Sequence, residues 1–154
     1  MRGVWIEMRG FERVKEFSNE DFSLPQRKTP GSAGYDFYLP CDAVLEAGKV
    51  TMIPTGVKAY MRNDEYLGIH LRSSIARKHC LLLVNGQGIV DSDYYDNEDN
   101  EGHIMLLIYN PNSLDVTLKK GERIAQGIFY AYLLADGDGA AAKETRKGGF
   151  GSTQ

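Results

Sequence analysis

The chain has 154 residues, 42% of them hydrophobic and 25% charged, which suits one domain with a sizeable core and excludes a disordered or fibrous protein. Its 18 Lys and Arg against 21 Asp and Glu leave a formal charge of -3, with no basic block of the kind that holds nucleic acid or an anionic membrane surface. No stretch has the length of a membrane span, MRGVWIEMRGFERVKEF carries charges where a signal peptide needs an apolar run, and Cys41 and Cys80 lack a C-x-x-C spacing, so a cytoplasmic protein with neither stable nucleic acid nor membrane as partner is expected.

In chain order, RGFERVKEF reads as a strand, although Phe11, Val14 and Phe17 are spaced like a helical face. SNEDFSLPQRKTPGSAG is a long loop that delivers the chain into YDFYLP. From Val44 onwards, AVLEAGKVTMIPTGVKAYM, EYLGIHL, CLLLVNG, HIMLLIYN and LDVTLKKGERIAQGIFYAYLL are short β-like runs punctuated by turn residues. Many short strands at regular spacing imply an all-β sandwich or barrel. SSIARKHCL is the one short helix, with Ser73 or Ser74 as its cap and Ile75 and Cys80 facing inward. After Leu134 the composition changes to DGDGAAAKETRKGGFGSTQ, too poor in apolar surface to order itself. The expected organisation is a folded domain over 1–134 and a flexible arm over 135–154.

Several segments carry chemistry-bearing residues. In HLRSSIAR, Arg72, Ser73 and Ser74 at a helix start form a compact set of phosphate donors, and the same residues also fit a plain helix start with an exposed arginine. In NGQGIVDSDYY, Asn85-Gly-Gln-Gly resembles a tight hairpin turn that leaves Asp91 at a strand end, with Asn85 offering the donor and acceptor that an imide edge needs. Asp91 and Asp93 are expected to point apart, one free to act as a base. DYYDNEDNEG lacks the spacing of a calcium loop and reads as a solvated acidic loop. Gln126, between apolar neighbours in ERIAQGIF, needs a partner if buried. His70, His79 and His103 form no metal-ligand set, and no G-x-S-x-G elbow or Walker sequence is present.

Taken in order, GSAGYDFYLP, LRSSIA, NGQGIVDSDYY, GERIAQ and GGFGSTQ resemble the five motifs of the homotrimeric dUTPase family, from Gly31 to the end of the chain. The resemblance implies a distorted jelly-roll subunit and a homotrimer whose sites borrow residues from neighbouring chains. It implies hydrolysis of dUTP to dUMP and pyrophosphate with Mg2+ on the triphosphate, which limits uracil incorporation into DNA and supplies dUMP. By this resemblance Asp91 deprotonates the water that attacks the α-phosphorus, and Gln126 lies near the α-phosphate. Arg72, Ser73 and Ser74 bind phosphate, Asn85 and the backbone at Gly88 read uracil, and Tyr94 packs under the deoxyribose and excludes a 2′-hydroxyl. Asp36 supports Mg2+ through water and also trimer contacts. Phe150 stacks on uracil while Gly151, Ser152 and Thr153 hold the γ-phosphate, the arm closing over a neighbouring site.

This chain departs from the family pattern at four places. Arg146 lies four residues before Phe150 where five is usual, Leu71 stands for a common proline, and the chain stops at Gln154 where a glycine is usual. Several extra, mostly acidic residues over Tyr95–Glu101 read as a surface insertion. The related dCTP deaminases need a glutamate where LLIYN here has Leu107, which argues against deamination. A non-catalytic nucleotide-binding module on the same fold is the remaining rival.

Overall fold

The computed structural model describes residues 8–140 together with 143, 146, 148 and 149. The chain lays down β1 (Gly10–Arg13), β2 (Tyr35–Tyr38), β3 (Ala43–Leu45), β4 (Val50–Pro54), β5 (Val57–Tyr60) and β6 (Glu65–Leu71). Helix α1 (Ser73–His79) follows, then β7 (Leu82–Leu83), β8 (Gly88–Asp91), β9 (Met105–Tyr109), β10 (Val116–Leu118) and β11 (Arg123–Ala131). All pairings are antiparallel. One sheet has the order β2-β11-β6-β8 and a second β4-β9-β7, with β1-β5 and β10-β3 as two-stranded ribbons. The architecture is all-β and jelly-roll-like, as the runs of short strands imply.

Alternation decides which side of each strand is inside. In β9, Leu106 and Ile108 are almost fully buried while Met105, Leu107 and Tyr109 are only partly so. Phe37, Leu39, Leu45, Ile53, Val57, Leu67, Ile69, Ile108, Leu118 and Ile124 close the core between the sheets. The other face of β4-β9-β7 leaves Val50, Met52 and Leu82 about half exposed, with Val84 beside them, an apolar strip larger than scattered surface residues require.

The N-terminal run is a strand for four residues only. From Lys15 to Phe17 it becomes a 3-10 turn, which sends Phe17 against the rings of Phe22 and His103. The helix departs from expectation at both ends. Arg72, in extended conformation, is the N-cap, and neither serine caps it because both already lie inside the first turn. Cys80 is exposed and ends the helix in the left-handed region at φ 54°, so it does not face the core, whereas Ile75 does.

His103 sets a pH dependence of folding. It is buried, and its Nε2 accepts the Gly56 N–H at 2.9 Å, so a second ring proton would break that bond. Burial holds its pKa below the ordinary histidine value, with Glu16 and Glu101 pulling weakly the other way. The unfolded chain therefore takes up this proton first, and stability is lost as pH falls from about 6.5. Thermal unfolding of the wild type is expected to drop from pH 7 to pH 5, with a shallower slope for His103→Gln, whose amide oxygen can still accept from Gly56. Equal slopes would assign the effect to other groups.

Candidate active site

Asp91 is placed by sheet geometry. It is the last residue of β8, opposite Tyr66 of β6, and the chain then turns through a 3-10 segment, Ser92–Tyr94. Because the strand ends there, Asp91 and Asp93 do not diverge. Both carboxylates meet Arg146, Asp91 through Nη2 and Asp93 through Nε at 2.8 Å. The expectation that they face apart is overturned, and it was also geometrically unsound, since residues two apart on a strand share a face.

The turn before β8 differs from a simple hairpin as well. Gly86 N–H donates to Leu83 O and Gln87 N–H to Asn85 O, but β7 pairs with β9 and β8 with β6. Asn85 and Gly88 therefore sit where the chain crosses from one sheet to the other, which opens a cavity of ≈ 200 Å³ between them. Asn85, Gly88, Asp91, Tyr94, Leu107 and Arg146 are among its lining residues, as is Gly149. Gly149 lies so near the Tyr94 ring that a Cβ there would come 2.7 Å from Cε2.

Tyr94 is 8% exposed. Its hydroxyl donates to His103 O at 2.9 Å and accepts from Asn100 Nδ2 at 2.7 Å. Burial pushes the phenol up, against the donated Asn100 bond. Sequence reasoning missed Asn100 because it lies in the acidic insertion, which is not a merely solvated loop. Lys58, itself buried, pairs with Asp96 and Glu101, and burial of the ammonium is outweighed by these carboxylates, so its pKa is raised. Asn97 is buried and bridges the loop through Tyr94 O, Asn100 Oδ1 and the N–H groups of Asp99 and Asn100. The loop closes at Gly102, which must be glycine because its φ is 84° and a Cβ there would come 2.7 Å from Tyr94 O.

A second depression of ≈ 290 Å³ gathers Asp36, Arg72, Ser73 and Gln126 with Lys28, Ser32 and Gly34. Asp36, buried on β2, forms an ion pair with Arg72, whose Nε lies 3.1 Å away, and accepts a hydrogen bond from Arg123 Nη1 at 2.9 Å. Gln126 on β11 lies opposite Asp36 and His70, and Gly34 leaves it room, since a Cβ there would come 2.6 Å from Oε1. Ser74 is exposed on α1 and lines neither depression. Phe150, Gly151, Ser152 and Thr153 lie outside the described residues.

The two depressions share no lining residue. β2 and β8 are opposite edges of one four-stranded sheet, and the registers put Asp36 level with His70 of β6 but Asp91 level with Tyr66. Three strand spacings sideways and four residues along separate them by roughly 20 Å. Groups so far apart on one chain cannot converge on one phosphorus atom. Among the described residues no cluster of three or more His, Cys, Asp or Glu side chains forms a metal cage.

A family model described as dUTPase matches residues 20–154. The deoxyuridine 5'-triphosphate nucleotidohydrolase of Lactococcus lactis is 45% identical over 148 residues, covering 96% of this chain and 99% of that protein. The enzyme of the same name from Caulobacter vibrioides is 36% identical, covering 88% of each chain. Among solved structures, the Streptococcus mutans dUTPase superposes with a TM-score of 0.79 at 44% identity, over 83% of this chain and 99% of that one. A dUTPase of Staphylococcus aureus phage phi11, 17% identical with a TM-score of 0.68 over 84% of this chain and 94% of that one, shares the fold, and its structure details the coordination of a structural Mg(II) ion.

Proposed function

The chain belongs to the dUTPase family, and from that premise we propose that it hydrolyses dUTP to dUMP and pyrophosphate in a site assembled from more than one copy of the chain. The observation that carries this reading is the convergence of Asn85, Gly88, Asp91, Tyr94 and Arg146 on one cavity. Asn85 and the backbone at Gly88 meet the uracil edge, where mispaired donors and acceptors reject cytosine. The Tyr94 ring packs under the deoxyribose and leaves no room for a 2′-hydroxyl.

Asp91 takes a proton from water as the water oxygen bonds to the α-phosphorus. The bond from that phosphorus to the bridging oxygen breaks, and pyrophosphate leaves with the electron pair. Arg72, Ser73 and Gln126 hold the phosphates from a neighbouring chain, because their own copy gathers them around Asp36, roughly 20 Å from Asp91. The apolar outer face of β4-β9-β7 supports such an assembly, and a homotrimer is the form we assign. Arg146 lies fifteen residues beyond Ala131, a reach of up to about 50 Å when extended, so the arm can close over a neighbour's site, where Phe150, Gly151, Ser152 and Thr153 meet uracil and the γ-phosphate. Ser74 is left with at most a contact across the interface.

Mg2+ bound with the triphosphate would neutralise phosphate charge. Asp36 would suit a water-mediated contact to the metal: its carboxylate is paired with Arg72 and accepts one N–H from Arg123, which leaves lone pairs for a metal-bound water. No helix among the described residues is long and apolar enough to cross a membrane. We place the protein in the cytoplasm, where Cys41 and Cys80, both free and exposed, stay reduced. There the reaction limits uracil incorporation into DNA and supplies dUMP. Leu107 lines the Asp91 cavity, so the position of the deaminase glutamate is apolar and offers no proton acceptor.

The test is pyrophosphate release from dUTP, dCTP, dTTP and UTP with Mg2+ present. Release from dUTP alone is expected. Silence on all four would favour a binding module, and ammonia from dCTP would establish the deaminase instead.

A further inference from the structure

We propose that the insertion over residues 95–101 is a bracket for Tyr94, and that Asn100 is a positioning residue for sugar selectivity in the site assigned above. The inference rests on that reading for the role of the Tyr94 ring. A ring can exclude a single extra hydroxyl only if it cannot turn or retreat, and Tyr94 is fixed at both ends. Its carbonyl accepts from Asn97 Nδ2 at 2.7 Å and its hydroxyl accepts from Asn100 Nδ2 at 2.7 Å. The hydroxyl also donates to His103 O at 2.9 Å, so the phenol proton is assigned as well.

The bracket is itself held. Asn100 Oδ1 accepts from Asn97 Nδ2 at 2.9 Å and from Gly102 N–H at 3.1 Å, which orients the Asn100 amide so that its nitrogen faces the phenol. Lys58 ties the loop to β5 through Asp96 and Glu101, and Glu101 also accepts the Lys15 N–H at 3.0 Å. Nothing in this set touches a catalytic atom. It acts through the angle of one ring.

The experiment compares kcat/KM for dUTP and UTP in wild type, Asn100→Ala, Tyr94→Phe and the double variant. Tyr94→Phe keeps the ring and the loop's internal bonds and removes only the tethered hydroxyl. Asn100→Ala, which removes one hydrogen bond to the phenol, is expected to reduce the dUTP-over-UTP ratio about tenfold; Tyr94→Phe, which also removes the bond to His103 O, at least as much; and the double variant no more than Tyr94→Phe alone. An unchanged ratio in Tyr94→Phe overturns the proposal even if Asn100→Ala fails to fold. Parallel losses on both nucleotides, or effects that multiply in the double variant, overturn it too, since those mark a loop that only supports the fold. If the wild type itself ignores dUTP, the assigned function fails. If the wild type selects dUTP but the variants select it equally well, only the bracket fails.

Discussion

Asp91→Asn is expected to leave folding and assembly intact and to lower kcat by about a hundredfold to ten-thousandfold, the usual worth of a general base. The substitution keeps size and shape but removes the proton acceptor. The Asp91 side chain is 47% exposed, so it contributes little to the core, and β8 holds its backbone through the pairing with Tyr66 whichever residue stands there. Nucleotide affinity should change little, because the uracil and sugar contacts proposed above belong to Asn85, Gly88 and Tyr94. Arg146 keeps Asp93 as a partner at 2.8 Å. Single-turnover assays with dUTP, beside equilibrium binding of a non-hydrolysable analogue, separate the two quantities. Wild-type turnover in this variant would remove Asp91 from the chemistry, and loss of binding in proportion to rate would make it a binding group.

The strands were legible because their cause is local. Leu106 and Ile108 alternate with half-buried neighbours, and a period of two survives any arrangement of sheets. Which strand pairs with which was not legible, and this is why Asn85 to Gly88 looked like a hairpin when its flanks join different sheets. The helix start failed for a related reason. Ser73 has the right side chain for a cap, but Arg72 N–H donates to Ile124 O and holds the preceding residue in extended conformation, a tertiary bond that no window around Ser73 contains.

Site residues divide in the same way. Asn85, Asp91 and Tyr94 lie within ten positions of one another, so a motif carries them together. Asp36 and Gln126 are neighbours only because β2 pairs with β11. Asn100 was lost from view because acidic composition suggested solvent, whereas the buried Lys58 and Asn97 turn the same residues inward. A lysine in β5 was the available signal: an inward cation at that position needs carboxylates, and the insertion supplies them.

Deletion of residues 141–154 is expected to cut dUTP turnover at least about a hundredfold while moving the melting temperature by no more than about 2 °C. Among its described residues the arm meets the core through Gly148 and Gly149, beside Asp99 and Tyr94, and through Arg146, whose partners Asp91 and Asp93 have side chains 47% and 59% exposed. Pairs on such exposed carboxylates are worth roughly 0–1 kcal/mol, too little to hold a fold of this size. A drop of many degrees would instead make the arm part of the core. The deletion also decides where the arm works. In the single chain Arg146 and Gly149 lie against that chain's own Asp91 and Tyr94, yet the tether is long enough to serve a neighbour. Mixing the arm-deleted chain with full-length Asp91→Asn under conditions that exchange subunits brings an intact base and an intact arm together on different chains. Recovery of turnover is the result expected of the proposed composite site, in which a second copy supplies the phosphate-binding half and closure follows that arrangement. Two inactive variants that stay inactive in demonstrably mixed assemblies would confine each arm to its own chain.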